Sequence, residues 1–114
     1  MTKSKSCKTP RNPKYLAFVR SLPCCATGST WEVQAAHVRI GSGAGIGMKP
    51  SDFRAVPLIA SAHHDQHQHG ERTFWKLTGM DPEAAIRETL FAYLRSLEPS
   101  KAMNDLLGEI IENL

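Results

Sequence analysis

The sequence predicts an α+β fold, with two short strands and a helix at its centre and amphipathic helices after them. Three observations support this prediction. Two apolar segments, 31–38 and 55–59, have the length of strands and flank a glycine-rich loop. A histidine-rich segment follows the second of them directly. From residue 82 onward, apolar residues recur at helical spacing.

Alternation predicts the first strand, over Trp31–Val38, because successive side chains of a strand point to opposite faces. The residues that share one face in this prediction are Trp31, Val33, Ala35 and His37. The loop over 41–47 contains four glycines and cannot form regular structure. Ala55–Ile59 is then expected to be the return strand. The apolar segment Tyr15–Leu22 fits either a helix or a strand.

Helix signals dominate the remainder. Ser61 is expected to cap a short helix that begins at Ala62 and carries the histidines. A second short helix over 71–78 should end at Gly79. Asp81 followed by Pro82 predicts the start of a helix over 82–97, and Ser100 that of a last helix over 100–113. The apolar stripe of this last helix consists of Met103, Leu106, Leu107, Ile110, Ile111 and Leu114.

Charge is uneven along the chain. Residues 1–80 carry eleven Lys/Arg and four Asp/Glu, whereas residues 81–114 carry three and seven. A basic front suggests a polyanionic partner, although small proteins also acquire such asymmetry by chance. Residues 1–13, which include Lys3, Lys5 and Lys8, are expected to be a disordered basic tail before a single domain over 14–114.

No apolar segment approaches the ~18 residues that a membrane span needs, and residues 1–14 lack the apolar core of a secretory signal. We therefore expect a cytoplasmic protein without a membrane partner. The three cysteines are Cys7, Cys24 and Cys25, an odd number with two adjacent, which favours reduced thiols.

Four of the five histidines fall within residues 63–69. On a helix, His63 and His67 project from one face and can bind one divalent ion, and His64 with His67 could do so less well. The simpler interpretation is a solvated, histidine-rich helix face. His37, near the end of a predicted strand, favours the functional interpretation. A histidine base facing a metal-binding pair suits phosphodiester hydrolysis.

These segments together resemble a known family. The residues concerned are Ala35-Ala36-His37-Val38-Arg39, the glycine-rich loop, Gly47 to Asp52, Val56-Pro57-Leu58, the His63–His67 pair and Gly70-Glu71-Arg72 with Phe74-Trp75. The pattern resembles the Ref-type branch of the HNH (ββα-metal) endonucleases, found in phages and prophages. The likeness runs from about Tyr15 to Leu97.

The resemblance implies residue roles. His37 would be the general base, and His63 and His67 would be metal ligands, with Asp52, His64 or water as the third. Asp52 lies near the asparagine of the HNH name and would shape the loop or assist catalysis. Arg39 and Lys49 are the cations that the resemblance places near the phosphates. Arg54 and the lysines of the basic tail, Lys3, Lys5 and Lys8, are further expected contacts to nucleic acid. The cofactor would be one divalent ion, Mg²⁺ or Zn²⁺, with Mn²⁺ and Ni²⁺ as alternatives.

Three positions depart from the wider HNH pattern. Ala36 stands where many members have a further metal ligand. The Ref-type branch often has this same alanine before the histidine. The asparagine itself is missing. Thr27 and Ile59 stand where cysteines of a structural zinc site are common, so we expect no four-ligand structural zinc.

The expected function is therefore metal-dependent hydrolysis of DNA, with a RecA-type filament as a partner implied by the resemblance. Two other functions fit the same sequence. One is a DNA-binding or phage accessory protein that keeps the HNH scaffold without cutting. The other is a metal-binding adaptor that recruits a protein through its last helix.

Overall fold

The computed structural model describes residues 11–45, 48–97 and 101–114. These residues form five α-helices and a two-stranded antiparallel sheet, which confirms the predicted α+β class. The helices are α1 (Pro13–Arg20), α2 (Ala60–His69), α3 (Glu71–Thr78), α4 (Pro82–Ser96) and α5 (Lys101–Asn113). The strands are β1 (Val33–His37) and β2 (Ala55–Ile59), and a 3₁₀ turn, Asp52–Arg54, leads directly into β2.

The segment that fitted either a helix or a strand is a helix. Pro13 occupies the first turn of α1, and the side chain of Asn12 accepts a hydrogen bond from the backbone N–H of Tyr15 at 3.0 Å. The expected tail boundary at residue 13 was therefore too late, because residues 11–13 belong to the folded domain. Lys3, Lys5 and Lys8 lie outside the described residues.

The sheet pairs His37 with Ala55 at one end and Val33 with Ile59 at the other. The second strand has its predicted bounds, but the first begins two residues later than expected, and Trp31 before it is 74% exposed. Ala36 is fully buried, whereas Val33, Ala35 and His37, which alternate with it along β1, are half-buried. His37 therefore lies on the face of β1 that is open to a ligand.

Helix α2 begins at Ala60, immediately after β2, so Ser61 lies inside the helix. The predicted cap was wrong, since no side chain of the described residues caps α2. The N–H of Ala60 instead bonds the carbonyl oxygen of Glu32 at 3.1 Å. This bond ties the start of α2 to the residue that precedes β1.

The other helix signals held where the structure describes them. Gly79 ends α3 in the left-handed conformation (φ 73°), and Asp81 accepts a hydrogen bond from the N–H of Glu83 at 3.1 Å to cap α4. In α5, Ile110 is buried but Ile111 is 67% exposed, so only part of the predicted stripe enters the core. Ser100 lies outside the described residues.

An aromatic cluster fixes the 3₁₀ turn that precedes β2. The Tyr15 ring lies between Phe53 and Tyr93, with ring centroids 5.3 and 5.0 Å away. Phe53 is fully buried. Because Asp52 precedes Phe53 in the same turn, this packing of α1 and α4 also fixes Asp52.

Within the described ranges, no helix is both long and apolar enough to cross a membrane.

Candidate functional site

A cleft of about 530 Å³ opens between the end of β1, the loop before the 3₁₀ turn, and helix α2. The residues that line it are His37, Arg39, Met48, Lys49, Pro50, His63, His67 and Glu71. The structure thus brings together five residues selected from the sequence. These are His37, Arg39, Lys49, His63 and His67.

Asp52 lies behind His37 and holds its ring. His37 Nε2 is 2.8 Å from Asp52 Oδ1, and the carboxylate is only 2% exposed. It also accepts hydrogen bonds from the Asn12 backbone N–H at 2.7 Å and from Arg11 Nη1 at 3.2 Å. Arg11 further donates to the carbonyl oxygen of Pro50 at 2.7 Å. The start of the folded domain is therefore tied to the histidine through Asp52.

These contacts determine the charge of Asp52. Burial alone would raise the pKa of its carboxyl, but the hydrogen bonds from His37 and Asn12, and the positive charges of His37 and Arg11, together lower this pKa. An ionised carboxylate only accepts hydrogen bonds, so the proton of the 2.8 Å contact must be on His37 Nε2. In neutral His37, Nδ1 then keeps its lone pair and can take a proton.

The pair His63 and His67 lies one turn apart on α2. His63 Nδ1 is 2.8 Å from Gln34 Oε1, so Nδ1–H donates to the amide oxygen and Nε2 keeps its lone pair. Burial lowers the pKa of His63, and the nearby His67 and His37 lower it further. All three effects favour the neutral imidazole that a metal requires.

The spacing of the pair fits a divalent ion. His63 Nε2 and His67 Nε2 are 3.1 Å apart. Two imidazole nitrogens that each lie about 2.0–2.1 Å from one zinc ion are separated by roughly 3.0–3.4 Å. The described residues contain no preformed group of three or more His, Cys, Asp or Glu able to hold a metal. The pair is therefore a two-ligand donor set.

Of the third ligands expected from the sequence, Asp52 is engaged by His37, Arg11 and Asn12. His64 is exposed on α2 and is not part of the cleft lining. The structure therefore does not bring His64 to the pair.

Glu71 was not predicted as a site residue. It is the first residue of α3, and its carboxylate accepts hydrogen bonds from the backbone N–H groups of Arg39 (2.8 and 3.0 Å) and Ile40 (3.1 Å). It thereby fixes the chain just beyond His37. Gln34 and Arg11 were also missed as partners of His63 and Asp52. Each of these contacts joins residues at least 29 positions apart, and no local sequence pattern signals them.

Arg39 and Lys49 are the exposed cations of the cleft. The Arg39 guanidinium donates to the carbonyl oxygens of Gly45 and Met48, so it also braces the glycine-rich loop. Arg39 therefore has a structural role beside the phosphate contact expected from the sequence.

Arg54 does not fit its expected nucleic-acid role. It is 3% exposed, and its guanidinium donates to the carbonyl oxygens of Val38 (3.1 Å) and Ile40 (2.9 Å) and to Glu83 Oε2 (2.5 Å). The expectation was wrong because the cation is used inside the fold. Gly41 leaves room for this pair, since a Cβ there would lie 2.8 Å from Glu83 Oε2.

A comparison with known families matches residues 1–94, which include every residue of the cleft and exclude α5. The chain belongs to the family described as "Protein of unknown function (DUF968)". Neither a search of curated proteins nor a search of solved structures found a match. Because the description of the DUF968 family states no activity, the cleft geometry is the basis for inferring function.

The lowered pKa of Asp52 predicts how stability of this DUF968 protein responds to acid. A carboxyl whose folded-state pKa is depressed stabilises the fold above its unfolded pKa, about 3.9, and this contribution is lost as the pH falls through the folded value. Between about pH 5 and pH 3, the free energy of unfolding should therefore fall more in the wild type than in Asp52→Asn. Denaturant titrations at the two pH values measure this.

The matched control is Asp65→Asn, at an exposed aspartate of α2 for which no hydrogen bond is found among the described residues. It should keep the acid response of the wild type. Equal responses in Asp52→Asn and the wild type would contradict an ionised, stabilising Asp52.

Proposed function

We propose that the chain is a metal-dependent endonuclease that hydrolyses phosphodiester bonds in DNA on an HNH-type ββα-metal centre. The observation that carries the proposal is one cleft that joins a carboxylate-held histidine, His37, to a histidine pair with metal-binding spacing, His63 and His67. The order of the elements, β1, glycine-rich loop, β2 and α2, supports the resemblance to this superfamily.

His37 would act as the general base. A water molecule attacks the phosphorus, its proton passes to His37 Nδ1, and the bond from phosphorus to the leaving oxygen breaks. The imidazolium formed in this step keeps its Nε2–H bond to Asp52, whose negative charge stabilises it. Asp52 is thus a positioning residue in this mechanism, and His37 is the catalytic one.

His63 and His67 would hold the divalent ion. When bound, such an ion supplies positive charge that neutralises the scissile phosphate and the leaving oxygen. Gln34 keeps the His63 ring in the tautomer whose Nε2 is available. Arg39 and Lys49, on the rim of the same cleft, would hold the phosphates on either side.

The experiment is a cleavage assay on the full chain with single- and double-stranded DNA. Mg²⁺, Mn²⁺, Zn²⁺ and Ni²⁺ are supplied separately, and a further arm supplies single-stranded DNA coated with RecA, the partner that the resemblance implies. We expect cleavage with at least one metal and its complete loss in the presence of EDTA.

Two other outcomes would contradict nuclease activity. Salt-dependent DNA binding without cutting under any metal would favour the non-catalytic accessory protein on the same scaffold. Absence of both binding and cutting would refute a nucleic-acid function altogether.

A further inference from the structure

We propose that a second cavity, over helix α3, binds another phosphate of the DNA strand whose scissile phosphate lies in the cleft. This inference rests on the proposed function and extends it by naming a substrate subsite. The cavity has a volume of about 460 Å³. Its lining consists of Ile40, Arg72, Trp75, Lys76, Met80 and Pro82.

Two cations face this cavity together. Arg72 and Lys76 are four residues apart on α3, so they lie on one face of the helix, and both are exposed. A guanidinium and an ammonium that converge on a concave surface suit a phosphodiester, whose anionic oxygens accept from both. The nearest acids in sequence are already engaged, because the Glu71 carboxylate accepts from the backbone N–H groups of Arg39 and Ile40 and Asp81 caps α4. Glu83 pairs with Arg54.

The second cavity adjoins the cleft. Arg39 lines the cleft, and its neighbour Ile40 lines the second cavity. In the same way, Glu71 lines the cleft and Arg72 lines the second cavity. The Glu71 carboxylate bonds both backbone N–H groups of the Arg39–Ile40 segment, so the boundary between the two cavities is held rigidly. Nucleotides of one strand repeat every ~3.4 Å along a duplex axis. A strand seated in the cleft can therefore reach the second cavity within a few nucleotides.

Trp75 supplies a further feature. The residue is part of the cavity lining although it is only 3% exposed, so it forms the floor of the cavity. Met80 and Pro82, in the same lining, offer apolar contact to a sugar.

The test compares two double variants of the full chain, each of which removes two exposed arginine or lysine charges. Arg72→Ala/Lys76→Ala removes the proposed subsite. Arg87→Ala/Arg95→Ala, on α4, removes two cations that line neither cavity. DNA affinity is measured from low to high salt in a His37→Gln background, which prevents cleavage, and cleavage is measured in the wild-type background.

We expect Arg72→Ala/Lys76→Ala to weaken DNA binding several-fold at low salt and to reduce the slope of log K against log salt by about 1, because binding then neutralises one phosphate fewer and releases fewer counterions. Arg87→Ala/Arg95→Ala should leave the slope within about 0.5 of the wild type. In cleavage, KM should rise and kcat change little, since the subsite holds the strand outside the reacting phosphate. If the alanine variant has a lower melting temperature than the wild type, Arg72→Gln/Lys76→Gln makes the same comparison with longer side chains.

The outcomes separate this inference from the proposed function. If the wild type binds and cuts DNA but both double variants keep the salt slope of the wild type, the subsite is refuted and the nuclease proposal stands. An equal loss in both would show a general charge effect and would also refute it. A wild type that neither binds nor cuts DNA would refute both proposals.

Discussion

Replacing His37 with glutamine is expected to lower DNA cleavage by about 10²–10⁴-fold, the range that general bases typically contribute. Glutamine can still donate an amide hydrogen to the buried carboxylate of Asp52, but it cannot take a proton from water. Folding, metal binding and DNA binding should therefore survive, because the loss affects the chemical step alone. Single-turnover cleavage, thermal melting and DNA binding on the same preparation measure the three properties.

His37→Ala is the second variant at this position. It should lose cleavage to the same extent and also some stability, since among the described residues Asp52 then keeps Arg11 and Asn12 alone as partners. The matched control is His64→Gln, which changes an exposed histidine of α2 outside the cleft lining and should cut at the wild-type rate. Retention of more than about a tenth of the wild-type rate in His37→Gln would move the base elsewhere.

The sequence predicted the elements that depend on local chemistry. Asp81 and Pro82 mark the start of α4, Gly79 ends α3, and the apolar run 55–59 is β2, because capping, backbone freedom and strand patterning act over a few residues. The spacing of His63 and His67 is likewise a local feature that the sequence predicts. Four residues make one helical turn, so their proximity follows once α2 is a helix.

The expectations that failed concern residues whose positions are set by tertiary contacts. Arg54 was expected to contact nucleic acid, yet the turn before β2 directs its guanidinium to the carbonyl oxygens of Val38 and Ile40. Arg11 was assigned to a tail, although it reaches Asp52 across 41 positions. Such pairings are created by the fold, and a single sequence contains no periodicity that encodes them.

The start of α2 also depends on a tertiary contact, whereas the spacing of its histidines depends on the helix alone. Ser61 had the side chain of a cap, but the backbone bond from Ala60 to Glu32 starts the helix earlier. The shift matters little to the histidines, because their spacing is fixed within the helix. The contact between His63 and Gln34 of β1, which sets the tautomer of His63, is by contrast a tertiary one that the helix pattern does not signal.

Removing either histidine of the pair is expected to weaken metal binding and cleavage together. His63 and His67 hold their Nε2 atoms 3.1 Å apart, so each variant, His63→Ala or His67→Ala, leaves one imidazole of the two-ligand set. Only neutral imidazole binds a metal, so affinity should fall as the pH is lowered through the range in which histidine titrates, about 6–7. Because burial and the neighbouring histidines lower the pKa of His63, its own protonation should contribute at the acidic end of that fall.

Calorimetric titration of each variant with Zn²⁺ and Mn²⁺ measures the affinity, and cleavage is followed on the same preparations. The matched control is His69→Ala, since His69 lies two residues beyond His67, on α2 but not in the lining of the cleft. It should bind metal and cut as the wild type does. If His67→Ala binds metal as tightly as the wild type, the ligand assignment is wrong, and the proposed nuclease loses the observation on which its metal centre depends.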